Sequence, residues 1–252
     1  MRGYFIKDIT HEQCKQLINE NTIIVLPIGG GSKEHGDHLP MGTDYMVTNW
    51  IAEKVTERFP VVTLPTLPYA YFPAFVEWSG SISIGADNFK NFVKDIILSF
   101  TRFGVKKFLI IDGGVSTHLP LMVLAGTMNN DYNVKVAVSN VIGLGKEVQD
   151  EVCTQLKGGH GDEGETSCML YINKELVHMD KTVEEYTKGI KGAMKNGIQK
   201  VYFPGRMATP KGTNGNSTLA TEKKGEKILN AMVDDLIVFL EAFAVLEEKD
   251  FN

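Results

Sequence analysis

No apolar run in this sequence approaches the ~20 residues a membrane span requires. The first residues, MRGYFIKDIT, interrupt their apolar positions with charge and are not expected to form the apolar core of a secretory signal. Cysteine is scarce: Cys14, Cys153 and Cys168 are odd in number, scattered, and form no CxxC pair. A disulfide framework and a zinc ribbon are therefore excluded, and reduced thiols in a cytoplasmic setting are expected. An excess of basic charge is missing as well. The 26 Lys and Arg residues face 31 Asp and Glu for a net charge of −5, so no footprint for nucleic acid or an anionic membrane is present. GLGK at 143–146 lacks the rest of a P-loop or dinucleotide fingerprint, which sets aside phosphate and nicotinamide binding, and no GxSxG elbow occurs. Cys153 and Cys168 have apolar neighbours that favour burial over nucleophilic work.

What remains is a chain of 252 residues, 43% hydrophobic and 23% charged, long enough for a large core and expected to form one domain over residues 1–252. Helix and strand signals alternate along it. Thr10 and Gln13 form a capping box for a helix over HEQCKQLINE. TIIVLPI (22–28) reads as a strand apolar on both faces, TDYMVTNWIAEKVTERF as a helix, and VVTLPTLPY as a strand or extended segment. DNFKNFVKDIILSFTRF (87–103) is helical and ends before Gly104; KKFLIIDGG is a strand and LPLMVLAGTMNN a helix. NVKVAVSNVIG follows as a strand, ETSCMLYINKEL and TVEEYTKGIKGAMKNG as helices, with VYFPG behind them, and a long amphipathic helix closes the chain. The pattern predicts an α/β fold, a sandwich with a central, mainly parallel sheet flanked by helices. Ligands in such sheets bind beyond the carboxyl ends of the strands. That draws attention to three loops: 29–44, 112–120, and the one preceding residue 166.

The first loop, GGGSKEHGDHLPMGTD, carries His35 and Asp44, whose side chains suit a divalent metal, although histidines near glycines also serve as loop architecture. The lysine at its start, Lys33, is an odd neighbour for metal ligands. The second, GGHGDEGETS (158–167), holds His160, Asp162, Glu163 and Glu165 among four glycines. Read alone it is a solvated acidic turn; packed against the first loop, its carboxylates need a cation to offset mutual repulsion. In the third, IIDGGVSTHLPL, Gly113 and Gly114 offer backbone N–H groups for an anion or oxyanion, and His118 lies near a helix start.

Taken together these segments resemble the creatininase (creatinine amidohydrolase) family. LPIGGGSKEHGDHLPMGTD is similar to that family's Pro-x-Gly followed by Glu-Gln-His-Gly-Pro-His-Leu-Pro-x-x-x-Asp; HGDEGETS to its His-Ala-Gly-Glu-x-Glu-Thr-Ser; and ATEKKGEKIL, from Ala220, to its Ala-Thr-x-Glu-Lys-Gly run. SGSISI at 79–84 looks like its Pro-Gly-Thr-Ile segment. The resemblance implies a single α/β domain, a divalent-metal hydrolase of cyclic or linear amides acting on a small-molecule substrate, and a homo-oligomer, often a hexamer. It also implies a two-metal site bridged by the aspartate that stands here as Asp44. The two ligands specific to one of those metals are absent: Lys33 stands at the glutamate position, and Asp112-Gly113-Gly114 at Asn-Gly-His. A further glutamate ligand of creatininase falls on Ser116.

Two losses at one metal, with a lysine in its place, suggest a single ion per chain (Zn, Mn or Fe) held by His35, Asp44 and Glu165, with the Lys33 ammonium standing where the second cation would be. Alternation along an extended loop turns Lys33 and His35 to one side and Glu34, the rival ligand, to the other. An open site of this kind lowers the pKa of bound water toward ~7. His160 is assigned general acid–base work, Lys33 oxyanion stabilisation, and Gly113, Gly114 and Ser116 substrate contacts. The expected activity is hydrolysis of an amide C–N bond in a small polar carbonyl compound. The alternatives are ring opening of a cyclic ketone or lactone of a sugar or polyol, in which Lys33 serves as clamp or Schiff base, and a non-catalytic ligand-binding relative.

Overall fold

The computed structural model describes residues 2–187 and 209–247. A two-residue strand, β1 (Tyr4–Phe5), leads to α1 (His11–Leu17), which opens on the expected capping box: the Thr10 hydroxyl accepts from Gln13 N–H, and the Gln13 side chain accepts from Thr10 N–H at 2.8 Å. Then come β2 (Ile23–Ile28), α2 (Thr43–Arg58), β3 (Val62–Thr63), α3 (Ala86–Thr101), β4 (Lys107–Asp112), α4 (His118–Asp131) and β5 (Lys135–Val138). A short α5 (Lys146–Val152) and α6 (Glu163–Asn173) precede a small pair of strands, β6 (Glu184–Glu185) and β7 (Gly215–Asn216), and the long α7 (Glu222–Val245).

The main sheet has the order β1-β3-β2-β4-β5 with every pairing parallel. Its central strand β2 is buried along its whole length, and successive residues enter opposite cores. Ile24, Leu26 and Ile28 pack with Phe108 and Ile110 against Phe89, Val93 and Ile97 of α3 and Leu121, Leu124 and Met128 of α4. Ile23 and Val25 pack with Leu109 and Ile111 against Ile51 and Val55 of α2, Cys168 of α6 and Ile228, Leu229, Val233 and Leu236 of α7. The expected sandwich is thus formed by helices on both faces of a five-stranded sheet.

Three segments differ from the sequence reading. VVTLPTLPY pairs regularly only at Val62–Thr63, because Pro65 and Pro68 have no N–H to donate; Leu64 and Leu67 N–H still reach Val25 and Pro27 carbonyls at 2.9 Å. The stretch Thr182–Thr187 is not helical. Val183 exchanges bonds with Ser217 (N–H to Oγ at 2.9 Å, carbonyl from Ser217 N–H at 3.1 Å), and Glu184–Glu185 joins β7 antiparallel, so strand pairing overrides a local helical pattern. The remainder of that expected helix, and VYFPG, lie outside the described residues. Helix α5, KEVQDEV, is too short and polar to have signalled itself.

Candidate active site

The register of the central strands determines where the loops meet. Ile28 pairs with Asp112, so β2 and β4 end side by side and the segments that follow them emerge together at the carboxyl edge. The segment before α6 packs onto the first of these. The backbone of Gly161 approaches His35 so closely that a Cβ there would lie 3.0 Å from the His35 carbonyl oxygen, and its φ of +54° is left-handed, so glycine is required twice over. His38, fully buried, bonds Thr166 Oγ1 through Nε2 at 2.9 Å and so ties loop 29–42 to α6. In the chain this histidine is architecture.

His35 is fully buried, with an acceptor at each ring nitrogen: the Lys33 carbonyl 2.9 Å from Nδ1 and Asp44 Oδ1 2.7 Å from Nε2. Nδ1–H donating to a backbone carbonyl is the arrangement that orients a metal-binding imidazole and directs Nε2 at its ligand. Asp44, in the first turn of α2, has the Lys33 ammonium on its other side, 2.6 Å from Oδ2. Oδ2 has no directed hydrogen bond besides, so the lysine charge is its partner. Burial alone would raise the Asp44 pKa; the Lys33 and His35 charges and the bonds from both residues outweigh it and hold the carboxyl well below the usual range. The ammonium also stands 5.1 Å from the Phe72 ring centroid and 4.9 Å from that of Phe75, which enclose it on the apolar side.

His160 lies next to His35, with ring centroids 4.8 Å apart, and against Phe75 at 4.5 Å. Burial, with His35 and Lys33 close by, lowers its pKa well below the ordinary imidazole value, so it is neutral. Its Nε2 is 3.2 Å from Glu34 Oε2. Glu165, in the first turn of α6, accepts from Gly161 N–H at 2.6 Å; burial, reinforced by Asp162 and Asp44, raises its pKa to about 7 against the opposing pull of His35 and Lys33. Ligand atoms of His35, His160 and Glu165 all lie within 4.8 Å of one another. Ligand atoms of a tetrahedral shell are about 3.4 Å apart, so a cluster this open could seat a divalent ion on some of these side chains with another standing beside it. Imidazole and carboxylate donors gathered in one largely buried cluster suit such an ion. Asp44 lies at the edge of this trio, with Oδ1 turned to His35 Nε2, the nitrogen that faces the cluster, and Oδ2 to Lys33.

A cavity of about 610 Å³ opens at the site, with Asp44, Glu165, Thr43, Gly113 and Gln149 on its wall. Lys33, His35 and His160 stand behind that wall, 6%, 0% and 3% exposed. The structure corrects the reading of the glycine pair. Gly113 N–H donates to the Ile28 carbonyl at 2.9 Å and Gly114 N–H to Asp112 Oδ1 at 3.2 Å, so both donors are consumed in the turn and neither faces an oxyanion. Ser116 is half-buried in the turn before α4 and is not among the cavity residues. Asp112, 1% exposed, accepts from Thr117 Oγ1 and sits 3.3 Å from His118 Nδ1; burial pushes its carboxyl up to about 6 against these bonds. Strand alternation also failed at Glu34: Lys33 and His35 do converge on Asp44, but Glu34 is buried too, turned onto His160. Phe72 and Phe75 escaped the sequence reading, since nothing local distinguishes them from core aromatics. Both cavity cysteines are inert: burial pushes the Cys153 thiol up to about 12 and raises that of Cys168 further.

The fold and the site together are those of an α/β metal-dependent hydrolase. The chain belongs to the creatininase family: the family model described as creatinine amidohydrolase matches residues 7–240. It is 23% identical to a 3-dehydro-scyllo-inosose hydrolase of Thermotoga maritima, over 93% of this chain and 81% of that one. It is likewise 23% identical to a creatinine amidohydrolase of Pseudomonas putida, over 93% and 95% of the two chains. A manganese form of creatininase superposes with a TM-score of 0.81 at 22% identity, covering 96% of this chain and 99% of the other.

Proposed function

We propose that this chain, one creatininase-like domain over residues 1–252, hydrolyses an amide C–N bond in a small polar carbonyl compound with one divalent ion (Zn, Mn or Fe) per chain. The observation that carries the reading is the Lys33 ammonium 2.6 Å from Asp44 beside the cluster of His35, His160 and Glu165. His35, Asp44 and Glu165 would hold the ion, which when bound supplies Lewis-acid polarisation and a more acidic water. The remaining work falls to the chain itself. Neutral His160 takes a proton from the attacking water and returns it to the leaving nitrogen. Lys33, enclosed by Phe72 and Phe75, acts through Asp44, holding that carboxylate ionised and in place. The same enclosure argues against a Schiff-base lysine. Substrate enters through the cavity bounded by Asp44, Gly113 and Glu165.

A second reading, ring opening of a cyclic polyol ketone or lactone, is favoured by one comparison, the similarity to the Thermotoga maritima hydrolase. Metal analysis of the purified protein, followed by a screen of amides, lactones and cyclic ketones, separates the two. One ion per chain with amide turnover abolished by chelation supports the proposal. Two ions per chain sink the single-ion part, turnover of ketones or lactones alone transfers the case to the second reading, and a metal-free protein that binds a small molecule without turnover indicates a non-catalytic relative. We further propose, from the family resemblance, a cytoplasmic homo-oligomer, a hexamer; Leu119, Met122 and Val123, exposed on one face of α4, offer apolar surface for self-association, and light scattering tests the subunit number.

A further inference from the structure

We infer that Glu34 is a positioning residue for His160, fixing the orientation and tautomer of its imidazole; the inference rests on the acid–base role proposed above. Glu34 is 6% exposed, and a carboxylate is not buried without partners. Its Oε2 lies 3.2 Å from His160 Nε2, and its Oε1 accepts the Gly36 N–H. The Glu34 backbone N–H donates to Ser81 Oγ at 3.0 Å, which anchors the residue from the loop before α3. Gly212 covers the carboxylate so tightly that a Cβ there would stand 1.9 Å from Oε1, and its φ of +73° is left-handed. The histidine is held from its other sides as well: its backbone pairs with Asn214 in an antiparallel bridge, and its ring is bracketed by Phe75 and His35. Glu34 supplies the polar contact in an otherwise steric clamp. A side chain fixed in this way loses the freedom to rotate or exchange tautomers, which a proton carrier needs to lose before the reaction starts.

The carboxylate reaches His160 and not the Asp44 side of the cluster, where Lys33 is the partner of Oδ2. Glu34 is accordingly distinct from the ion's ligands, and replacing it leaves the ion bound. The experiment is long-range ¹H–¹⁵N correlation NMR of the full-length protein, metal-free and loaded with zinc, with the His160 signals assigned from His160→Gln. In the wild type one tautomer is expected. In Glu34→Ala the two ring nitrogens move toward averaged shifts, while Glu34→Gln, which keeps an acceptor oxygen, retains the wild-type pattern. Zinc content stays the same in all three. For any substrate turned over in the screen, Glu34→Ala lowers kcat at least about tenfold with KM unchanged, and Glu34→Gln restores most of it. Unchanged His160 shifts in Glu34→Ala would overturn the inference, as would loss of zinc from Glu34→Gln, which makes Glu34 a ligand. Failure of the metal hydrolase reading shows separately, as a wild type that takes up no ion, because the tautomer is also read on the metal-free protein.

Discussion

The Lys33 ammonium and the Asp44 carboxylate meet at 2.6 Å in a space closed by Phe72 and Phe75. Both side chains are almost entirely buried, at 7% and 5% exposure, so the charge of one is answered by the other and by His35. Replacing Lys33 with Met removes one cation and leaves the carboxylate under-compensated. The metal-free protein should lose about 3–5 kcal/mol of stability in urea denaturation, the usual effect of breaking a buried pair from one side.

Lysine-to-glutamate replacement at the same position tests the ion count. Lys33→Glu exchanges a fixed cation for a ligand oxygen beside Asp44. Mass spectrometric metal analysis should rise from one ion per chain toward two, and wild-type protein already carrying two would refute the single-ion reading.

Glu165 makes ion uptake pH-dependent. Its pKa, raised to about 7, lies above the ordinary carboxyl value, so in the metal-free fold it is protonated below neutrality and charges at a cost above it. Metal-free stability should therefore fall as pH rises from about 4.5 to 7 and level off beyond. Ion affinity should move the other way, gaining about tenfold per pH unit until pH 7, because the bound ion displaces that proton. Glu165→Gln should flatten the stability profile and weaken the ion, both readable by calorimetry.

His38 predicts loss of stability in acid. Burial, with His35 nearby, lowers its pKa from 6.5 to about 4, and Nδ1 has no partner to accept a proton's charge. The unfolded chain binds a proton that the folded chain refuses between these values. The contribution is complete above pH 6.5 and lost as pH falls toward 4, about 3 kcal/mol in all. In His38→Gln that part of the acid slope should disappear, measured as Tm against pH.

The crossing of α6 and α7 depends on Gly225, where a Cβ would lie 1.9 Å from the Ser167 carbonyl oxygen. Gly225→Ala gains helix propensity yet forces two backbones apart, and should cost roughly 3 kcal/mol in chemical denaturation. An unchanged midpoint would mean that the helices separate freely. Nearby, the Lys224–Glu163 ion pair and the bonds from Thr154 and Gln155 N–H to Glu163 tie the same crossing to the loop that carries His160.

Local chemistry determined much of this protein. The capping box at Thr10, the doubly apolar strand Ile23–Ile28, the long helices and the parallel α/β arrangement follow from residue periodicity and turn signals, which are properties of neighbouring residues. So does the placing of His35 and the Asp112 turn side by side, because loops after parallel strands share one edge of the sheet; His160 and Glu165 reach that edge from the segment between α5 and α6 and the first turn of α6, which packing brings there. What each side chain faces is a different matter, and only the tertiary structure decided it. Gly113 and Gly114 N–H groups are taken up by Ile28 and Asp112. Glu184–Glu185 pairs as a strand with Gly215–Asn216, and Val183 bonds Ser217, 34 residues further along the chain. Glu34 turns inward beside Lys33 because Gly212, far along the sequence, leaves room for its carboxylate and His160 offers it a partner. Strand alternation assumes a regular backbone, and in a glycine-rich loop the distant contacts set the direction of each side chain.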